Sequence, residues 1–185
     1  MKLRASIVDV ETTGLNPATD EIVELALVLF SFDPRTGADI QVLDEYCGLR
    51  DPGRPIPAGA TRAHGLTDAD VRGQALDEQR VRSILARSHC LIAHNVSFDR
   101  SFVERLFPEV RRLPWLCSMD GIDWRGKGQA SKGLQQLLAA HRIEPGSAHR
   151  ALDDARATLR LLATVQPNGR TYLADLIGRL QLKQG

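Results

Sequence analysis

Three extended runs crowd the first 49 residues, and the links between them are too short to hold a crossover helix. They are IVDVETTGL (7–15), IVELALVLF (22–30) and QVLDEYCGL (41–49). The second link carries DPRTG, with Pro34 and Gly37 as turn residues. Successive strands on short connections predict an antiparallel meander. Beyond residue 75 the pattern changes. LDEQRVRSILARS predicts a helix, CLIAHNV a short strand, SFDRSFVERLF a helix capped by Ser97, and PWLCSM a fifth strand. LQQLLAAHRI and ALDDARATLRLLATV predict two further helices, and TYLADLIGRLQLKQ a last helical stretch. Phe98, Phe102 and Leu106 recur at i, i+4 and i+8 and predict one buried stripe. The Pro- and Gly-rich DPGRPIPAGATRAHGLT predicts an irregular surface segment. Strands first, then strands alternating with helices, predict an α/β layered domain with a mixed sheet.

The 185 residues, 43% apolar and 25% charged, suit one globular domain with a full core. No apolar run approaches 18 residues, so no membrane span is expected. The N-terminus meets an acid at residue 9, too soon for the apolar segment of a signal peptide. Cys47, Cys90 and Cys117 are too scattered for a zinc cluster or a disulfide framework, and predict reduced thiols in a cytoplasmic protein. A net charge of +1 lacks the signature of a general nucleic-acid binder. The balance is uneven, however: residues 1–99 hold 10 Lys/Arg against 15 Asp/Glu, and residues 100–185 hold 14 against 8.

Within the first run, alternation puts Val8 and Val10 on one face and Ile7, Asp9 and Glu11 on the other. Two carboxylates ~6–7 Å apart at an effective dielectric of ~20 repel by roughly 2–3 kcal/mol. A wet edge strand would screen that repulsion, and a bound dication would reverse it. Two more acidic motifs follow. In HNVSFD, Asp99 falls in the first turn of its helix, where an acid also favours the macrodipole. In HRALDDA, the helix buries Ala151, Leu152, Ala155, Leu159 and Leu162. Asp154 then points about 110° from the centre of that face and Asp153 about 150°, so Asp154 is the acid nearer the packed side and Asp153 the solvated one. His149 precedes the helix in a turn after Pro145 and Gly146. Each acidic motif lies at a strand end or a helix start, where α/β sheets gather ligands. Oxygen donors without a Cys cluster or a His pair favour Mg²⁺ or Mn²⁺ over zinc. Four carboxylates and a His beside two such ions can align a water and hold a phosphodiester for in-line attack.

DVETTGL, AHGLT, HNVSFD and HRALDDA, in this order over about residues 5–165, resemble the signature of the DnaQ-like (DEDDh) 3′–5′ exonucleases. That family includes the epsilon proofreading subunit of bacterial DNA polymerase III and stand-alone relatives. The resemblance implies an RNase H-like three-layer fold with a five-stranded mixed sheet. It implies two divalent cations, Mg²⁺ or Mn²⁺, held by Asp9, Glu11, Asp99 and Asp154, with His149 as general base. A sister branch carries Tyr four residues before the last acid; here that position is Arg150. The implied reaction is stepwise hydrolysis of single-stranded nucleic acid from a free 3′ end, releasing nucleoside 5′-monophosphates. Thr12, Thr13, Leu15, His64 and Phe98 resemble the pocket for the terminal nucleotide. DNA is the expected substrate, with RNA or short oligonucleotides as the alternative.

The remaining readings are weaker. Haloacid-dehalogenase-type phosphatases also follow a first strand with an acid pair, but theirs resembles D-x-D-G-T, and this chain has Glu at the second acid. A nuclease fold reduced to a binding module usually loses an acid or the His, and all five are present. The expected organisation is a single exonuclease domain over 1–185, with a C-terminal helical segment at about 170–185. No long Gln- or Pro-rich tail follows that segment, which favours stand-alone action, with a DNA polymerase or a second copy as a possible partner.

Overall fold

The computed structural model describes residues 2–147 and 149–182. Met1, Ala148 and residues 183–185, the end of the expected C-terminal helical segment, lie outside the described residues. The three early runs form β1 (Leu3–Thr12), β2 (Ile22–Phe32) and β3 (Gln41–Leu49), paired antiparallel as the short links require. β4 (Cys90–Ala93) and β5 (Trp115–Cys117) add parallel on the other side of β1, giving the order β3-β2-β1-β4-β5. The mixed five-stranded sheet is therefore as expected. β1 lies at its centre, which excludes a wet edge strand as the reason for paired acids.

Helices cover both faces. α1 (Ala58–His64), α2 (Asp68–Val71) and α3 (Glu78–Ala86) precede β4, and α4 (Val96–Leu106) follows it; α5 (Leu134–Ala140), α6 (Ala151–Ala163) and α7 (Tyr172–Leu182) come last. Strand alternation sorts the core into two layers. Val8, Val10, Leu25, Leu27 and Leu29 pack with Val81 and Ile84 of α3 and with Phe102 and Val103 of α4. Ile7, Ala26, Val28 and Phe30 pack with Leu137 of α5, Ala155, Leu159 and Leu162 of α6, and Leu176 of α7. β2 is buried along its whole length, as a strand between two helical layers must be. Among the described residues, no helix is long and apolar enough to cross a membrane.

Two local expectations need correction. The segment 51–67 is not wholly irregular. It contains α1, which ends at Gly65 in the left-handed region (φ 78°), where the Gly65 N–H donates to Thr61 O at 2.8 Å. A small cluster of Val23, Ile56, Leu66 and Val71 holds this segment and α2 onto the sheet. Ser97 does not cap α4. The helix begins one residue earlier, after Asn95 at φ 83°, and the Ser97 hydroxyl donates to Asn95 Oδ1 at 3.1 Å. The predicted stripe does form: Phe102 is buried, and Phe98 and Leu106 pack against the same cluster.

Candidate active site

Asp9 and Glu11 share the Ile7 face of β1, toward the layer that contains α6. Asp154, in the first turn of α6, meets them there. One carboxylate oxygen from each of Asp9, Glu11 and Asp154 lies within 4.8 Å of the other two. Asp99 approaches from the opposite layer. β4 runs parallel to β1, and α4 starts almost at once after it, so the helix begins at the same sheet end where β1 finishes. Asp99 is buried, and its Oδ1 accepts from the Val10 N–H at 3.1 Å, which ties α4 to β1 between the two acids of the strand. It lines the same cleft but lies outside the group of three.

The electrostatics match four acids gathered in one place, Asp99 and Asp154 buried and Asp9 and Glu11 half-buried. Asp9 is held well above its ordinary range, first by burial and then by the charges of Asp99, Glu11, Asp154 and Glu24. Glu11 is pushed up to about 8 by burial and by Asp154, Glu24 and Asp99, with Arg150 opposing. Asp99 is raised to about 7 by burial, against the Val10 N–H that favours its charged form. Asp154 is raised by burial, offset by the His149 N–H. The nearest guanidinium, on Arg150, is committed to Glu24 at 2.7 Å. A cluster of oxygens with unrelieved negative charge is the donor set of a hard divalent cation, so these residues could hold one.

The turn before α6 brings His149 to the cleft. Its φ of 62° is left-handed, and its N–H donates to Asp154 Oδ2 at 3.0 Å. The other Asp154 oxygen, Oδ1, accepts from Gln135 Nε2 of α5 at 3.1 Å. Asp154 is buried and Asp153 is not, as the helix-face geometry predicts. Asp153 is more than a solvated residue, however: it accepts from the Ser147 N–H at 3.0 Å and so closes the turn that carries His149.

All ten residues singled out from the sequence line one cleft of about 950 Å³. Leu15 is 84% exposed at its rim, so it is not a core residue. Phe98 stacks in a tilted geometry on Phe102, ring centroids 5.0 Å apart. His64 is buried; its Nδ1 accepts from the Leu66 N–H at 3.1 Å, which places the neutral ring's proton on Nε2. That Nε2 has no hydrogen-bond partner among the described residues. Both threonine hydroxyls are committed within the loop. Thr12 Oγ1 donates to Gly14 O at 2.6 Å, and Thr13 Oγ1 lies 3.1 Å from Asp20 Oδ1. Gly14 packs on that Asp20 carboxylate, where a β-carbon would come within 2.5 Å of Oδ2, and Arg54 and the Asn16 N–H keep the carboxylate in place.

Sequence reasoning missed Glu24, Gln135 and His94. Glu24 had one signal, a single acid inside the apolar IVELALVLF. His94 lines the cleft with both ring nitrogens engaged, by Ser118 Oγ and Lys132 O, each at 2.9 Å.

Comparison with known proteins gives this arrangement a lineage. A DNA polymerase III subunit epsilon-like protein of Rhodobacter capsulatus is 37% identical over 95% of this chain and 26% of its own length. The PolC-type DNA polymerase III of Thermotoga petrophila is 29% identical over 92% of this chain and 13% of its own length. This chain therefore spans only a minor part of these relatives. Among solved structures, E. coli exonuclease I in complex with a dA16 oligonucleotide superposes with a TM-score of 0.75 at 19% identity, over 99% of this chain and 44% of that one. Exonuclease X in complex with 5′ overhanging duplex DNA superposes with a TM-score of 0.61 at 28% identity, over 84% and 88%. The fold is the RNase H-like fold of these exonucleases. The RNase T model, described as an exonuclease, matches residues 6–162, and this chain belongs to that DnaQ-like exonuclease family.

Proposed function

We propose that this chain is a 3′–5′ exonuclease that removes nucleoside 5′-monophosphates from single-stranded DNA, and that residues 1–185 act as one such domain. The observation that carries this reading is the convergence of Asp9, Glu11 and Asp154 within 4.8 Å, with Asp99 and His149 in the same cleft. Asp9, Glu11, Asp99 and Asp154 would hold two divalent cations, Mg²⁺ or Mn²⁺. Such ions, when bound, polarise the phosphoryl group and make water nucleophilic near neutral pH. His149 takes the proton of the attacking water as general base. The rim of the cleft receives the terminal nucleoside. Leu15 and the Phe98 ring offer apolar and aromatic surface to a base, and stacking tolerates any sequence. His64 lines the same cleft with its ring buried beside the Thr12 backbone, and helps shape the pocket for the terminal nucleotide. Because the Thr12 and Thr13 hydroxyls are committed, these residues shape the cleft and do not donate those hydroxyls to substrate. The polymerase III names of the relatives support DNA as substrate and a polymerase as a partner.

The test is incubation of 5′-labelled single-stranded DNA and RNA with the protein and Mn²⁺, with products resolved by length. A ladder shortening from the 3′ end of DNA is expected. A ladder from RNA alone would move the substrate to RNA, and internal fragments from the first time point would overturn the exonuclease mechanism.

A further inference from the structure

We infer that Glu24 and Arg150 form a positioning pair that holds the backbone of His149 in place for catalysis, an inference that rests on the exonuclease reading above. Glu24 stands opposite Glu11 in the β1–β2 register and is 1% exposed. A carboxylate there needs partners, and among the described residues all of them but the Cys47 thiol come from the start of α6. Arg150 Nε donates to both oxygens at 3.2 Å, Arg150 Nη2 to Oε1 at 2.7 Å, and the Ala151 N–H to Oε2 at 2.9 Å. The Cys47 thiol lies 3.6 Å from Oε1.

These bonds bracket His149. Its own N–H is taken by Asp154, the Arg150 guanidinium and the Ala151 N–H are taken by Glu24, and the Arg150 N–H donates to Ser147 O at 3.2 Å. Three consecutive residues are thus fixed by two carboxylates, one on the helix and one on the sheet. The restraint has a purpose in the backbone. His149 sits at φ 62°, a region that residues with a β-carbon visit rarely, and such conformations persist where surrounding contacts over-determine them. Asp154 alone cannot supply that, because it moves with α6. Glu24 belongs to the central sheet that also carries Asp9 and Glu11, so it references His149 to the same rigid body as those acids. The Ala151 N–H is an otherwise orphaned first-turn donor of α6, which gives the helix start a charge-assisted anchor as well. Arg150 keeps this buried carboxylate paired beside the four acids of the cleft.

The test uses the full chain with Glu24→Gln, Glu24→Asp, Arg150→Gln and the double variant Glu24→Gln/Arg150→Gln. Supporting contacts of this kind are worth about 10–100-fold, and small displacements of a reacting group cost a similar factor. Glu24→Gln is expected to lower kcat about 10–100-fold, with KM for the oligonucleotide within about threefold and the Mn²⁺-induced rise in Tm retained. Glu24→Asp, which keeps the charge on a shorter stem, should fall between wild type and Glu24→Gln. The double variant should lose no more kcat than the worse single variant, because the pair acts as one unit. A kcat for Glu24→Gln within twofold of wild type, measured well below Tm, would overturn the inference, as would losses that multiply in the double variant. Amide hydrogen exchange at His149 and Ala151 gives a readout without activity: it should accelerate in Glu24→Gln, and unchanged exchange would also overturn the inference. If wild type fails to shorten any 3′ end while exchange responds, the functional reading fails and the restraint on His149 stands.

Discussion

Glu11→Gln, studied without metal, isolates the electrostatic strain of the site. Glu11 is raised from 4.5 to about 8, mostly by burial and then by Asp154, Glu24 and Asp99. Its folded-state pKa is above its unfolded one, so the folded state binds the extra proton between those values. The metal-free protein therefore carries no penalty from Glu11 below about pH 4.5, an increasing one as pH rises, and the full penalty above about pH 8. At about 1.4 kcal/mol per unit the upper bound is ~5 kcal/mol. The cleft is open to water and counter-ions, which reduces the expected figure to roughly 2 kcal/mol. Glutamine has nearly the same shape and no charge, and removes that penalty. For a chain of this length 1 kcal/mol moves Tm by about 2–4 °C, so the variant should melt roughly 4–8 °C above wild type at pH 8.5 in chelator and level with it at pH 4.5. Mn²⁺ should then invert the order. An ion bound only by the folded state stabilises by about 2.7 kcal/mol at a hundred times Kd, and the variant has lost one carboxylate of the four proposed to hold the ions. The assay is a set of thermal melts of both proteins at half-unit steps from pH 4.5 to 9, with EDTA and with Mn²⁺. A variant less stable than wild type at pH 8.5 in EDTA, or a difference that ignores pH, would refute the charge argument.

His149→Ala should lower kcat by roughly 10²–10⁴ while the Mn²⁺-induced rise in Tm persists, since the general base proposed for it is not a ligand; loss of that rise would change its role. Asp154→Asn should abolish activity, whereas Asp153→Asn should keep most of it and lose a little Tm through the Ser147 bond; equal kinetic losses would refute the assignment of Asp154. Closed circular single-stranded DNA should resist digestion that consumes its linearised form, and prompt cutting of circles would sink the requirement for a free 3′ end.

Wherever periodicity could carry it, the site was legible in the sequence. Alternation in β1 put Asp9 and Glu11 on one face, and the layer assignment of Ile7 against Val8 and Val10 agrees. The 100° step along α6 separated buried Asp154 from Asp153. The apolar runs marked every strand, because each strand here packs against a helical layer or a neighbouring strand. Short-range polar geometry was not legible. Helix α1 hides in a Pro- and Gly-rich stretch because what holds it to the sheet is Ala60 and its flanking residues Ile56 and Leu66 packing with Val71 on Val23, contacts that no local pattern announces. The cap of α4 was misread because Asn95 reaches the left-handed region and lets the helix start ahead of Ser97.

Glu24 shows why a second tier of the site escapes such reading. Within IVELALVLF a lone acid has two interpretations, a solvent-facing residue of an exposed strand or a buried charge with a partner. The choice depends on whether β2 is covered on both faces, which is a property of the sheet. Its partners lie 126 and 127 positions along the chain, so no window around either residue contains both. The same distance gives the contact its value. A bond between neighbouring residues would move with His149, whereas one to the central sheet ties the turn to the frame that carries Asp9 and Glu11. A buried carboxylate stripped of its cation is costly, so each member of the pair penalises loss of the other. Arg150→Gln, which leaves Glu24 buried with only the Ala151 N–H and the Cys47 thiol, should therefore destabilise the fold more than Glu24→Gln, which leaves a 44% exposed guanidinium free to turn to water. A pair that merely decorated the surface would show no such asymmetry in Tm.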